Sequence, residues 1–208
     1  TTGTGTTGTL GNQLRGTYGW LTLNANGSYT YVIDNSLAAV QALRTSADIL
    51  IDRFSYSMGD TSGVTSAANL TIRIEGANDA PLAQNNTGIA VADNGAGNVS
   101  NPSGNLLTND RDVDQGDSLT LTAGRTGEEL AGGSLAPVTQ GSPLVLTGQY
   151  GTLTLYIDGN YQYVLDINNG DVQGLAPLQT LRDNFTYQAQ DLAGGVDLEL
   201  DQATVQCA

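Results

Sequence analysis

The sequence predicts an all-β protein built of tandem β-sandwich modules, the first of them incomplete, with a short helical turn in each. Three observations carry that prediction. The first is an internal repeat: GTYGWLTLNANGSYTYVIDN, beginning at Gly16, returns as GQYGTLTLYIDGNYQYVLDI, beginning at Gly148. Tyr18, Gly19, Leu21, Leu23, Gly27, Tyr29 and Tyr31 fall on Tyr150, Gly151, Leu153, Leu155, Gly159, Tyr161 and Tyr163, a shift of 132 positions. Phe54-Ser55-Tyr56 falls on Phe185-Thr186-Tyr187, and Asp60 on Asp191, at a shift of 131. A module repeated along one chain marks an array built of self-folding units. The second observation is the alternation of apolar and polar residues in short runs, the period of a half-buried strand. The third is composition: 27 Gly with abundant Thr, Asn and Ser supply turns, while 39% apolar residues are too many for a disordered chain.

Each element follows in order. Trp20 to Leu23 reads as a strand, Asn24-Ala25-Asn26-Gly27 as a turn, and Ser28 to Ile33 as the returning strand of a hairpin. Tyr29 and Tyr31 alternate with Thr30 and Val32, so the two rings share one face and pack on the sheet. Leu37, Val40 and Leu43 are spaced at three to four residues, which predicts one or two helical turns with Ser36 as the cap. Phe54, Tyr56 and Met58 mark a strand, Asp60 to Gly63 a turn, and Ala68, Leu70, Ile72 and Ile74 a further strand. Gly76-Ala77-Asn78-Asp79-Ala80-Pro81 is turn-rich and reads as the joint between modules. Beyond it come a strand at Gly88 to Val91, the Gly/Asn-rich run Asp93 to Gly104, Leu106-Leu107, an acidic stretch and a strand at Ser118 to Thr122. The second copy of the hairpin turns at Asp158-Gly159, and Val196, Leu198, Leu200, Ala203 and Val205 finish the chain.

The expected domains are therefore residues 1–79, the C-terminal part of a first module, and 80–208, a complete second one. Measured against the second, the first lacks about 50 residues. In their place stands the Thr/Gly-rich stretch Thr1 to Leu10. Its composition is that of a flexible linker; a strand paired to this molecule or to its neighbour is the alternative. With no initiator Met and no leader, the chain reads as a processed product or a fragment.

Charge narrows the function. Seven Arg and no Lys stand against 21 Asp plus Glu, a net charge of −14. No basic stripe exists to replace phosphate counterions, so a nucleic-acid partner is not expected, nor is docking on anionic lipid. The balance favours solubility and sites for hard cations. No apolar run approaches the ~20 residues of a membrane span, so membrane insertion is not expected. A single Cys207 has no internal disulfide partner and reads as an inert thiol, with an intermolecular bridge as the alternative.

One constellation carries chemistry. Asn109-Asp110-Arg111-Asp112-Val113-Asp114-Gln115-Gly116-Asp117 sets four carboxylates within eight positions. Unneutralised, they repel one another; a divalent cation reverses the sign of that term, and Ca²⁺ accepts many oxygens with tolerant geometry. The spacing of Asp110, Asp112 and Asp114 starts like an EF-hand loop but departs from it. Gln115 stands where the glycine belongs, Leu121 stands at the closing Glu position, and no long flanking helices are evident. Mg²⁺ is disfavoured because it prefers fewer protein ligands.

Leu106-Leu107-Thr108-Asn109-Asp110 through Leu119-Thr120, then Tyr150-Gly151-Thr152-Leu153-Thr154-Leu155, Asp158-Gly159-Asn160-Tyr161, Phe185-Thr186-Tyr187 and the joint Asn78-Asp79-Ala80-Pro81 resemble VCBS-type repeats. These are the cadherin-like, immunoglobulin-like modules of large bacterial secreted adhesins. The resemblance covers nearly all of the second module and the C-terminal part of the first. It implies calcium-stiffened Ig-like/cadherin-like β-sandwiches strung into extended fibres outside the cell. It also implies metal ligands: Asp110, Asp112, Asp114 and Asp117 match the calcium loop, and Asn78 and Asp79 match the joint. Asp60 and Asp191 match the acidic turn before the last strands. The first module carries no Asp cluster of its own, which departs from the pattern.

An enzyme is not expected. Without His or Lys, and with Cys only at the end, histidine general bases, Ser and Cys triads and Schiff-base lysines are all excluded. The acidic residues cluster in turns rather than across a cleft, which argues against a glycosidase. Zinc lacks its usual ligands. The leading reading is a structural calcium-binding module of a bacterial extracellular adhesin or surface fibre, rigidified by Ca²⁺ at the acidic loop and the joint. A self-assembling filament or sheath subunit, in which identical neighbouring chains donate a strand into the incomplete first module, is the first alternative. A glycan- or peptide-binding adhesin domain using Trp20 and the tyrosines is the second.

Overall fold

The computed structural model describes residues 7–92 and 99–207, so Thr1 to Thr6 of the Thr/Gly stretch and residues 93–98 of the Gly/Asn-rich run lie outside the described residues. The chain divides into two compact units: one runs to Asp79 and includes Val113–Gln115, the other comprises Ala80–Asp112 and the residues from Gly116 onward.

Among the described residues the first unit holds five strands, β1 (Gln13–Arg15), β2 (Gly19–Leu23), β3 (Tyr29–Ile33), β4 (Ile49–Gly59) and β5 (Thr65–Glu75), with a single helical turn α1 (Ala38–Gln41) after the third. The hairpin β2–β3 pairs Leu21 with Tyr31 and Leu23 with Tyr29, and β1 adds to its other side. β4 and β5 form a separate antiparallel ribbon. Leu21, Leu43, Phe54 and Ile74 are the buried apolar residues among the described residues of the first unit. Burial alternates along β4 as period two demands, Asp52 and Phe54 facing in while Ile51 and Arg53 face out. The helical turn forms where its spacing predicts, but Ser36 does not cap it. Leu37 occupies the cap position with no side-chain bond, because the Ser36 hydroxyl and backbone N–H are both engaged by Asp34 Oδ1, at 2.6 and 3.2 Å.

The second unit holds β6 (Asn86–Ala92), β7 (Ser103–Asn105), β8 (Thr120–Thr126), β9 (Ala136–Pro137), β10 (Leu144–Thr147), β11 (Gly151–Leu155), β12 (Asn160–Leu165), the helical turn α2 (Gly170–Gln173), β13 (Thr180–Gln190) and β14 (Val196–Cys207). They make two sheets, ordered β10-β11-β12-β7 and β6-β14-β13-β8-β9. β6 runs parallel to β14; the other pairings are antiparallel. Leu106, Leu121, Leu153, Leu155, Tyr163, Phe185, Tyr187 and Val205 are fully buried in one apolar cluster. Alternating inward residues from two sheets closing on one core make a β-sandwich.

The repeat extends to a polar device at the root of each hairpin. In the first unit Asp52 accepts the backbone N–H groups of Thr17 and Tyr18 and the hydroxyl of Tyr31, at 2.8, 3.0 and 2.6 Å. In the second, Asp183 accepts those of Gln149, Tyr150 and Tyr163, at 2.7, 3.0 and 2.7 Å. Beside each tyrosine a phenylalanine sits edge-on, Phe54 at 6.1 Å and Phe185 at 6.2 Å between ring centroids. Burial pushes the Asp52 carboxyl up, but the three donors outweigh it and hold the group below the usual carboxylate range. They satisfy a buried charge, without which its burial would be costly.

Trp20 offers no stacking platform on the face covered by Arg15, whose guanidinium carbon lies 4.3 Å from the ring centroid. Arg15 and Trp20 are cross-strand partners of β1 and β2, so the ring is used in sheet packing.

Candidate metal centre

The acidic loop begins where a backbone bridge ends. Leu82 and Arg111 exchange N–H···O bonds of 2.8 and 3.0 Å, holding Arg111 in extended backbone. The chain then turns through Asp112 to Asp117, with Gly116 at φ 79° supplying a left-handed residue that side chains resist. This local turn, rather than an EF-hand loop, gathers the carboxylates. Asp112, Asp114 and Asp117 each bring one oxygen within 4.8 Å of the others. Asp114 is buried at 5% exposure, and Asp112 and Asp117 are half-buried. One oxygen of each is shielded from solvent.

Two of the three carboxylates accept backbone N–H groups. Asp114 Oδ2 accepts the backbone N–H of Asp79 at 3.0 Å. Asp117 Oδ1 accepts those of Ser118 and Leu192, both at 2.9 Å. Asn78 turns its side-chain amide onto the Asp79 carbonyl at 2.8 Å. The carboxylates of Asp79 and Asp110 are not among the oxygens gathered within 4.8 Å.

Asp110 is directed elsewhere. Its Oδ1 takes the Gln84 N–H at 2.8 Å, and both oxygens lie 3.0–3.1 Å from the Tyr187 hydroxyl. The Leu82–Arg111 bridge holds Asp110 beside Gln84, whereas Asp112 lies past the bridge, where the backbone leaves the extended form and begins the turn. Burial raises the Asp110 carboxyl, the Gln84 and Tyr187 donors oppose that rise, and the charge on Asp197 adds to it. Tyr187 is raised in turn, first by burial and then by the Asp110 charge.

Asp60 and Asp191 occupy equivalent turns and serve them locally. Asp60 Oδ1 accepts from Ser62 and Val64. Asp191 Oδ1 accepts the backbone N–H groups of Ala193, Gly194 and Gly195 at 2.6–2.8 Å.

Sequence reasoning missed a second acidic set, Asp197, Glu199 and Asp201 on β14. Their period of two between leucines was the available signal, since it puts all three on one face of the strand. Asp197 Oδ2 accepts the Ala83 N–H at 3.0 Å. Glu199 is raised by partial burial and by the charges of Glu129, Asp197 and Asp110, against a lowering bond from the Leu200 N–H. Asp201 is buried at 3% exposure, and that burial pushes its carboxyl up to about 7.

The family description "Bacterial cadherin-like domain" matches residues 78–207, more than half of the chain. The chain belongs to the bacterial cadherin-like domain family. Membership in that family makes this chain an adhesion-type or structural module at the coarse level. No curated protein matches it. Similar solved structures include mouse clustered PcdhgC3 EC1-3, at 15% identity over 95% of this chain and 55% of that one, with a TM-score of 0.42. Protocadherin Gamma B2 extracellular cadherin domains 3-6 is similar at 14% identity over 94% of this chain and 40% of that one, TM-score 0.39. The protocadherin gammaB7 EC3-6 cis-dimer is similar at 13% identity over 93% and 40%, TM-score 0.38. The chain thus spans less than two thirds of each of these structures. No helix of the described residues is long and apolar enough to cross a membrane.

Proposed function

We propose that this cadherin-like chain is a calcium-binding structural segment of a bacterial extracellular adhesin or surface fibre of the VCBS-like kind. Residues 1–79 form the C-terminal part of one module and 80–208 a complete second. The observation that carries this reading is the gathering of Asp112, Asp114 and Asp117 within 4.8 Å. Charges this close repel by about 3.5–4 kcal/mol per pair at the effective dielectric of a protein surface, less where salt screens them. An all-oxygen set without His or Cys suits a hard cation, and Ca²⁺ tolerates an irregular loop better than Mg²⁺ does. The donor set therefore fits calcium. Asp112, Asp114 and Asp117 are the proposed inner ligands, with Asn78 and Asp79 completing the set. Asp110 joins by exchanging its bonds to Gln84 and Tyr187. Bound calcium would neutralise the loop and replace repulsion with attraction.

The test is a thermal melt in chelator and in millimolar calcium. Calcium binding only the folded state stabilises it by about 2.7 kcal/mol at a hundredfold excess over Kd. The melting temperature should rise in calcium, and Asp114→Asn should remove most of that rise. Identical melts in calcium and chelator would end this reading.

A further inference from the structure

The hairpin sheet of each unit ends on a short edge strand, and the repeat aligns the two edges residue for residue. At the shift of 132, Gln13, Leu14 and Arg15 of β1 correspond to Val145, Leu146 and Thr147 of β10. The pairings correspond too: Gln13↔Thr22 and Arg15↔Trp20 match Val145↔Thr154 and Thr147↔Thr152. Among the described residues, no strand pairs with the outer edge of β10. The Gly148 N–H bonds the Gly151 carbonyl at 2.8 Å, which fixes the alternation along the strand. Leu144 and Leu146 therefore turn their backbone groups to β11, while Val145 and Thr147 turn theirs outward. Charge on an edge strand discourages pairing with another chain. The first unit has it in Arg15, which is held by Asp34 at 2.8 Å. The second unit lacks it: no residue from Leu130 to Ile157 is charged, and none is in β12. Val145, where the first copy has Gln13, is 57% exposed.

We propose that two copies of the chain associate through this edge, their β10 strands antiparallel about a two-fold axis at Leu146. The available donors set that register. Pro143, the preceding outward position, has no N–H. Gln149, the following one, spends its N–H on Asp183 Oδ1 at 2.7 Å. Val145 and Thr147 are left, and the edge becomes self-complementary. With Leu146 on the axis, Val145 of one copy stands opposite Thr147 of the other, and each such pair exchanges two N–H···O bonds. The β-branched side chains of each pair then lie side by side on the outer face of the joined sheet. Charge favours a meeting here over one elsewhere on the chain. Two molecules at −14 repel where their acidic groups approach, and this edge brings them together where neither is charged. The contact is isologous and closes at two copies. Being confined to so short a ladder, it makes a weak and reversible dimer.

The experiment is sedimentation equilibrium of the full chain over a concentration series reaching millimolar, in calcium and in chelator. A monomer–dimer equilibrium is expected in both, so failure of the calcium reading leaves this test intact. Hydrogen exchange of the Val145 and Thr147 amides should slow by about tenfold when about nine chains in ten are paired, because only the monomer then exchanges. The Leu144 and Leu146 amides, bonded within the sheet, should not change. Val145→Pro removes an outward donor and no bond inside the chain, so it should spare the melt and weaken dimerisation by about tenfold or more. Thr147→Arg gives β10 the residue that β1 carries. It lowers the net charge, yet it should also weaken the dimer, opposite to a general charge effect. Val164→Arg makes the same change of charge on β12, two strands in from the edge, and should leave association as it was. A chain that stays monomeric throughout overturns the proposal. So does a dimer that survives both edge substitutions, or one lost with Val164→Arg and kept with Val145→Pro.

Discussion

Asp201 is a carboxyl whose proton is governed by burial. With 3% of its surface exposed and its carboxyl pushed up to about 7, it holds a proton in the folded chain at pH values where the unfolded chain has lost it. The native state therefore binds more protons between the ordinary carboxylate value and about 7, and stability falls as pH rises through that window. The repeat places Leu70 at the equivalent position of the first unit, so the sandwich does not require an acid there. Asp201→Asn should change little at pH 4, then stabilise increasingly, reaching about 2 to 4 kcal/mol above pH 7. Urea denaturation at pH 4, 6 and 8 checks it, and a gain independent of pH would refute this account of the site. At this scale the sequence was partly legible. The density of Asp between positions 110 and 117 marked the acidic loop, whereas Gly116, read only as a departure from the EF-hand pattern, turns out to make its left-handed turn. The orientation of Asp110 was not legible, because it depends on a backbone bridge to Leu82, remote in sequence. Asp201 escaped notice for a related reason. An acid inside a strand pattern looks like an outward position until the partner sheet shows which face is covered.

The hairpins were the most legible elements, since alternation and a Gly-containing turn are local signals that tertiary packing reinforced. The aromatic face of the second hairpin also explains a glycine that alternation alone does not. A Cβ at Gly151 would collide with the Tyr163 ring and hydroxyl and lie 2.6 Å from the Val164 carbonyl oxygen. The carbonyl belongs to the paired strand β12 and cannot withdraw without breaking the ladder. The hydroxyl is held at 2.7 Å by Asp183. Gly151→Ala should thus destabilise the second unit by about 2 to 4 kcal/mol, through overpacking and loss of the Tyr163–Asp183 bond. Gly170→Ala is the matched control, because a Cβ there meets nothing within 4 Å and the residue opens a helical turn. It should be neutral or stabilising by up to about 1 kcal/mol. Equal effects from the two changes, read as urea midpoints, would remove the close-approach argument. The capping of α1 was misread from sequence because Asp34, two residues earlier, competes for Ser36. Local propensity identified the turn, and a neighbouring carboxylate decided how it starts.

For the whole molecule, the duplication predicts the same architecture twice, yet the two copies are unequal in what they bury. Among the described residues, the second unit encloses a cluster of 18 buried residues, whereas only Leu21, Leu43, Phe54 and Ile74 are buried apolar residues in the first. Each large apolar side chain fully removed from water contributes about 1.5–3 kcal/mol, so the first unit has far less burial to set against the entropy of ordering its chain. The tyrosine–aspartate device is the same in both units and does not offset it. The first unit should therefore unfold before the second, and the two should not share one transition. The sequence provides its own reporter, because the single tryptophan, Trp20, lies in β2 of the first unit. In urea, tryptophan fluorescence should change at a lower midpoint than far-UV circular dichroism, which follows the strands of both units. Coincident midpoints in the unmodified chain would mean that the units fold as one cooperative body, and that the missing burial in the first is compensated by coupling to the second.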